Sequence, residues 1–116
     1  MVNIEVKSVE DIFVVEVVGN LANDQEVNSL RAALDFLMDQ RDVKKMVVSI
    51  VGVLVICMHF LYELERTEAK MQAKGGEIIL IDNVPKSLEH CLFHTSIKVP
   101  IFHDRRKAIT HFLLTE

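Results

Sequence analysis

Hydrophobic and polar residues follow two alternating rhythms along this chain. Residues 3–6 alternate weakly and read as a first strand, and Glu10-Asp11 makes a turn. Residues 12–18 (IFVVEVV) are rich in valine and read as a strong strand ending at Gly19. The short gap between these runs predicts an antiparallel hairpin. Asn23 and Asp24 are good helix caps. A helix is expected over residues 25–41, where Val27, Leu30, Leu34, Leu37 and Met38 fall on one face and Arg31, Asp35 and Asp39 fall off it. Residues 43–50 are apolar on both faces, as in a central strand, and Gly52 is expected to break it.

A second long helix is expected over residues 58–74. Leu61, Leu64 and Met71 form its buried stripe, with Glu63, Glu65, Arg66, Lys70 and Gln72 mostly on the wet side. Gly75-Gly76 stops it, one glycine being free to take the left-handed cap conformation. Residues 77–81 (EIILI) read as a fourth strand. Pro85 opens a helix to about Phe93, residues 100–102 are extended, and Asp104 caps a terminal helix in which Ile109, Phe112 and Leu113 pack down. The order is β-β-α-β-α-β-α-β-α, without repeats or a linker. It predicts an α/β fold in which about four helices flank a mixed sheet that opens with a hairpin, as one domain over residues 1–116. The crossovers at 25–41 and 58–74 are expected to join parallel strands.

Residues 46–62 (MVVSIVGVLVICMHFLY) hold no acidic or basic side chain apart from the titratable His59. The run is short for a membrane span, contains Ser49, Gly52 and His59, and sits within an α/β alternation, so a buried strand followed by a helix start is the preferred reading. The turn between them holds Cys57, Met58, His59 and Phe60, an apolar set for an exposed loop.

The formal charge is −4, from 13 basic and 17 acidic residues. Its small, dispersed basic groups disfavour a nucleic-acid binder. The two cysteines, Cys57 and Cys91, have no Cys-x-x-Cys spacing, and the opening residues do not read as a signal peptide. Free thiols in the cytoplasm are therefore expected.

Catalysis finds little support. There is no nucleophile elbow, no glycine-rich phosphate loop and no carboxylate pair at a strand end. A Cys57-His59 pair could make a thiolate nucleophile, but it has no identifiable orienting group. His90 and His94, four apart on a helix, have the spacing of a helical metal site but no third ligand at motif spacing. No catalytic residue, cofactor or metal is assigned, and solvated histidines are preferred. Met58, Phe60 and Phe93 compose a candidate contact patch. The competing reading is that Met58 or Phe60 caps the core.

The chain as a whole resembles the STAS domain, shared by sulfate-transporter tails and bacterial anti-sigma factor antagonists. The resemblance rests on the opening strands to Gly19-Asn20-Leu21, the helix with Leu30-Arg31-Ala32-Ala33-Leu34, the strand Met46-Val47-Val48-Ser49-Ile50, the segment Gly75-Gly76-Glu77-Ile78-Ile79-Leu80, and the tail from Ser87-Leu88 to Pro100-Ile101-Phe102. It covers nearly all of the chain. In that family the loop after the third strand usually reads Asp-Ser-Ser-Gly. A kinase that is also the anti-sigma factor phosphorylates it there, and the added charge blocks the partner interface.

Here the loop aligns with Cys57-Met58-His59-Phe60, and the Ser/Thr acceptor is gone. Ala22-Asn23 also departs from the family, with an extra residue, and the segment between Ile97 and Pro100 is shorter. The resemblance implies a non-catalytic regulator of transcription that binds a protein partner, an anti-sigma factor or kinase-like protein, or a second copy of itself. The partner-binding residues would be Cys57, Met58, His59, Phe60 and Phe93. The alternatives are an accessory subunit of a membrane transporter and a small-ligand or metal sensor using Cys57/His59 or His90/His94. Phosphorylation of His59 would restore a switch by different chemistry.

Overall fold

The computed structural model describes residues 2–82 and 99–114. Five strands form one sheet in the order β1-β2-β3-β4-β5. They are β1 (Val2–Val9), β2 (Ile12–Leu21), β3 (Lys45–Ile56), β4 (Glu77–Ile81) and β5 (Ile101–Phe102). Strand β1 pairs antiparallel with β2, and every later pairing is parallel, so the expected hairpin and both parallel crossovers are present. Three helices are described: α1 (Asp24–Asp39), α2 (Met58–Ala73) and α3 (Arg105–Leu114). The fourth expected helix, starting at Pro85, lies outside the described residues, as do Cys91, Phe93 and the His90/His94 pair.

The valine-rich strands bury both faces because helices cover both. Val15, Val17, Met46, Val48, Ile78 and Leu80 face α1 and α2, packing on Leu30, Leu34 and Leu64. Val14, Val47, Ile79 and Ile81 face α3 and meet Ala108 and Phe112. Period-two alternation within each strand thus feeds two separate cores.

Helix α1 starts where the sequence places its caps. Asn23 accepts a hydrogen bond from the Glu26 backbone N–H at 2.9 Å, and Glu26 reaches back to the Ala22 N–H at 3.1 Å. The arrangement is a capping box displaced by one residue. Helix α2 ends in a Schellman motif. The Gly76 N–H donates to Met71 C=O and the Gly75 N–H to Gln72 C=O, with Gly75 at φ 74°.

Two faces of α1 and α2 that read as solvated in fact meet. Arg31 and Asp35 on α1 engage Glu63 and Arg66 on α2, and Lys70 bridges Asp35 and Asp39. Glu63 is buried as a result, with its carboxylate held by Arg66 at 3.0 Å. An apolar-stripe rule cannot see such a contact, because it assigns every charged position to water.

Candidate functional site

The sequence places a break at Gly52 and a turn at Cys57-Met58-His59-Phe60 that passes into a helix from about Met58. The break is not there and the turn shrinks to Cys57, while the helix begins at Met58 as expected. Strand β3 runs through Gly52 to Ile56, and α2 begins at the next residue but one. Gly52 lies beside Val18, whose Cγ2 would sit 3.1 Å from an added Cβ. The glycine therefore serves close strand approach rather than strand ending. The second half of β3 carries two extra residues relative to β2, at the register shifts between Glu16 and Val18 and between Gly19 and Leu21. Strand β3 continues past the point where β4 stops, since β4 pairs only with residues from Lys45 to Ser49.

Cys57 is the N-cap of α2, with extended backbone, and its side chain makes no capping hydrogen bond. Its N–H donates to Leu21 C=O at 2.8 Å, and its C=O accepts from the Phe60 N–H at 3.0 Å. The end of β2 and the start of α2 are thus joined through this one residue. The thiol is free and half-buried.

Met58, His59 and Phe60 form the first turn of α2 and point three ways. Phe60 is fully buried, packed with Leu61 and Leu64 into the α1/α2 core. This corrects its expected place on a contact surface: an aromatic ring two residues into an amphipathic helix fills the core beside the sheet instead. Met58 is 57 % exposed. His59 turns sideways, and its Nδ1–H donates to the carboxylate of Asp24 at 2.9 Å. No hydrogen bond joins Cys57 to His59 among the described residues, so the two do not form a nucleophile-base pair in this conformation. No group of three or more His, Cys, Asp or Glu side chains among the described residues could hold a metal ion.

Met58 has apolar company that the sequence left unnoticed. Leu54 is 88 % exposed, and Val51, Val55 and Tyr62 are exposed as well. Met58 and Tyr62, four apart, share one face of α2. Val18, opposite Gly52, is exposed on β2. The overhang of β3 and the first turns of α2 therefore present several large apolar side chains to water. Scattered exposed apolar residues are ordinary, whereas these are concentrated at one end of one strand and the helix that follows. The signal was in the sequence, since VGVLVI is too long an apolar run for the span that β4 covers. No acidic residue lies in the first turn of α2. Residues 51–62 contain no Asp, Glu, Lys or Arg.

A mixed five-stranded sheet with α1 and α2 on one face and α3 on the other is the fold of the anti-sigma factor antagonists. An antagonist from Mycobacterium paratuberculosis superimposes with a TM-score of 0.79 at 18% identity, covering 96% of this chain and 93% of that one. The phosphorylated form of SpoIIAA, a Bacillus cell fate determinant, gives 0.77 at 13% identity, over 95% of this chain and 99% of its own. A STAS-domain antisigma-factor antagonist from Rhodobacter sphaeroides gives 0.55 at 17% identity, over 68% of this chain and 84% of its own. No family model and no curated protein matches the sequence. The likeness is one of fold. No helix among the described residues is long and apolar enough to cross a membrane.

Proposed function

We propose that this chain is a non-enzymatic regulatory module that binds a protein partner through the end of β3 and the start of α2. Met58 is at its centre, with Cys57 and His59 beside it. Phe60 supports that surface from beneath. Phe93 belongs to the same proposal on sequence grounds alone. The reading takes residues 1–116 as one STAS-like domain acting in the bacterial cytoplasm, on a partner of the anti-sigma factor or kinase type.

The observation that carries it is the exposed set Leu54, Val55, Met58 and Tyr62 at the end of β3 and the start of α2, where the family resemblance read from the sequence puts the phosphorylation loop. Fully burying one such side chain contributes about 1.5–3 kcal/mol, so a few of them support a dry interface. A phosphoryl group there would need to be desolvated and would oppose such contact. With no Ser or Thr in residues 57–60, docking is independent of Ser/Thr phosphorylation at this place.

Affinity capture from an extract of the source cell tests the reading, with wild type and Met58→Asp compared side by side. A partner held by wild type and released by the variant is the expected result. A partner held equally by both removes this surface from the interaction. Intact-mass analysis of the protein recovered from cells addresses control. A phosphoryl group on His59 would overturn the phosphate-independent part.

A further inference from the structure

Among the described residues, strand β1 is an outer edge of the sheet, with β2 as its single hydrogen-bonded neighbour. It is eight residues long, and every residue from Glu5 to Val9 is exposed. Val9 pairs with Ile12 across the two-residue Glu10-Asp11 turn. In a hairpin closed this way, hydrogen-bonded pairs alternate from the closing pair onward. The N–H and C=O groups of Ile4, Val6 and Ser8 therefore point away from β2, toward solvent. Such an open edge is a template for another strand.

The charges on β1 are unbalanced in a way that specifies the missing strand. Glu5 lies directly opposite Glu16 in the β1/β2 register. Like charges facing one another across a sheet are destabilising. Lys7 of β1 and Arg105 of α3 both reach Glu16, Lys7 at 3.7 Å. Glu5 has no cation partner among the described residues. A second β1 strand laid antiparallel, with its two-fold axis at Val6, places Lys7 of the second copy opposite Glu5, and the reverse. The register needs no adjustment: Val6 meets Val6 and Ile4 meets Ser8. Val6 is an outward hydrogen-bonding position, so the two copies exchange a pair of N–H···O=C bonds at the axis.

The other face of the edge fits the same partner. Val6 and Ser8 line an open groove of about 550 Å³ with Phe13, Ala33, Phe36 and Arg41. Phe36 is 53 % exposed and Val6 is 42 % exposed. A two-fold axis at Val6 brings the grooves of both copies together on the same side of the joined sheet, where each Phe36 finds apolar cover. We infer that this chain self-associates through β1, forming a symmetric dimer with a continuous ten-stranded sheet and reciprocal Glu5–Lys7 pairs.

This inference does not depend on the Met58 surface, which lies at the other side of β2. Sedimentation equilibrium of the intact chain, from low to high micromolar concentration, tests it with Glu5→Lys, Lys7→Glu, the double exchange and Met58→Asp. Two-fold symmetry counts each contact twice, so each single reversal is expected to weaken the dimer by roughly tenfold or more. The double exchange is expected to restore it. Glu5→Lys also removes the repulsion from Glu16, so its monomer keeps its fold, as circular dichroism would show. A wild type that stays monomeric across the range overturns the inference. So does a dimer that ignores Glu5→Lys, or one that dissociates on Met58→Asp instead.

Discussion

His59 Nδ1 lies 2.9 Å from Oδ1 of Asp24, thirty-five positions earlier in the chain. The bond ties the first turn of α2 to the first turn of α1. Both helices leave the same end of the sheet, and Cys57 fixes the start of α2 to the end of β2 through its backbone. The proposed docking surface therefore rests on a pinned helix start rather than on a free loop.

The pin can be measured. Asp24 is 84 % exposed at its side chain and His59 is 27 % exposed, so water screens the pair. A double-mutant cycle with Asp24→Asn and His59→Ala should give a coupling of about 0.5–1 kcal/mol. Amide exchange should quicken in the first turns of both helices in either single variant. A coupling of zero would mean that the helix starts are held by packing alone.

Phe60 and Met58 are neighbours in sequence with opposite consequences. Phe60→Ala empties a fully buried site and should cost about 3–5 kcal/mol. Met58→Ala removes an exposed side chain and should change stability by about 0.5 kcal/mol or less. Thermal or denaturant melts of the two variants separate these cases. Equal effects would contradict the burial that divides the pair.

Helix periodicity made the buried faces of α1 and α2 legible, and the valine-rich runs made the strands legible. The fold class follows from their alternation. The candidate site was legible by place but not by shape. In the segment Val53-Leu54-Val55-Ile56-Cys57 nothing local says where the strand stops, because β-branched residues suit a strand whether it is covered or overhanging. The stopping point is set by tertiary pairing, namely the two bulges against β2 and the Cys57–Leu21 bond. Phe60 was ambiguous for a related reason. A helical wheel fixes the angle of a side chain but not the height of the sheet edge it must clear. Glu63 was read as wet because its neutralising partners, Arg31 and Arg66, include one on another helix.

Gly75 and Gly76 were indistinguishable as helix stops in the sequence, and the structure gives them different jobs. Gly75 has φ 74° and open space around its Cβ position. Gly75→Ala should cost about 1 kcal/mol, the penalty of an alanine in left-handed backbone. An alanine at Gly76 would place Cβ 2.7 Å from the Lys44 carbonyl oxygen and 3.0 Å from the Lys44 Cα. Those atoms are backbone, and Lys44 C=O already accepts the Glu77 N–H at the start of β4. Gly76→Ala should therefore cost more, about 1–3 kcal/mol, and should loosen the β3/β4 entry. Denaturation midpoints give the order, and exchange at the Glu77 amide gives the location. A larger loss at Gly75 would place the strain in the cap instead.

Acid should open the contact between α1 and α2 before it melts the sheet. Partial burial of Asp35 pulls its carboxyl upward. Hydrogen bonds and charge from Arg66 and Lys70 outweigh that and hold it below its ordinary value of 3.8. The unfolded chain then binds a proton at Asp35 more readily than the folded one. The stabilisation is complete above the ordinary carboxylate range and is lost as pH falls through that range toward the lowered folded value. Asp35→Asn removes this linkage. It should cost about 1 kcal/mol or less at neutral pH, where screening limits the pair, and the difference from wild type should shrink below about pH 4. Urea midpoints of both proteins, measured from neutral pH down to the acid limit of folding, give the two curves. Parallel curves would show that Asp35 adds nothing to the acid response. The contacts from Asp35 to Arg66, at 2.8 Å, and to Lys70, at 3.3 Å, would then carry no pH-linked stability.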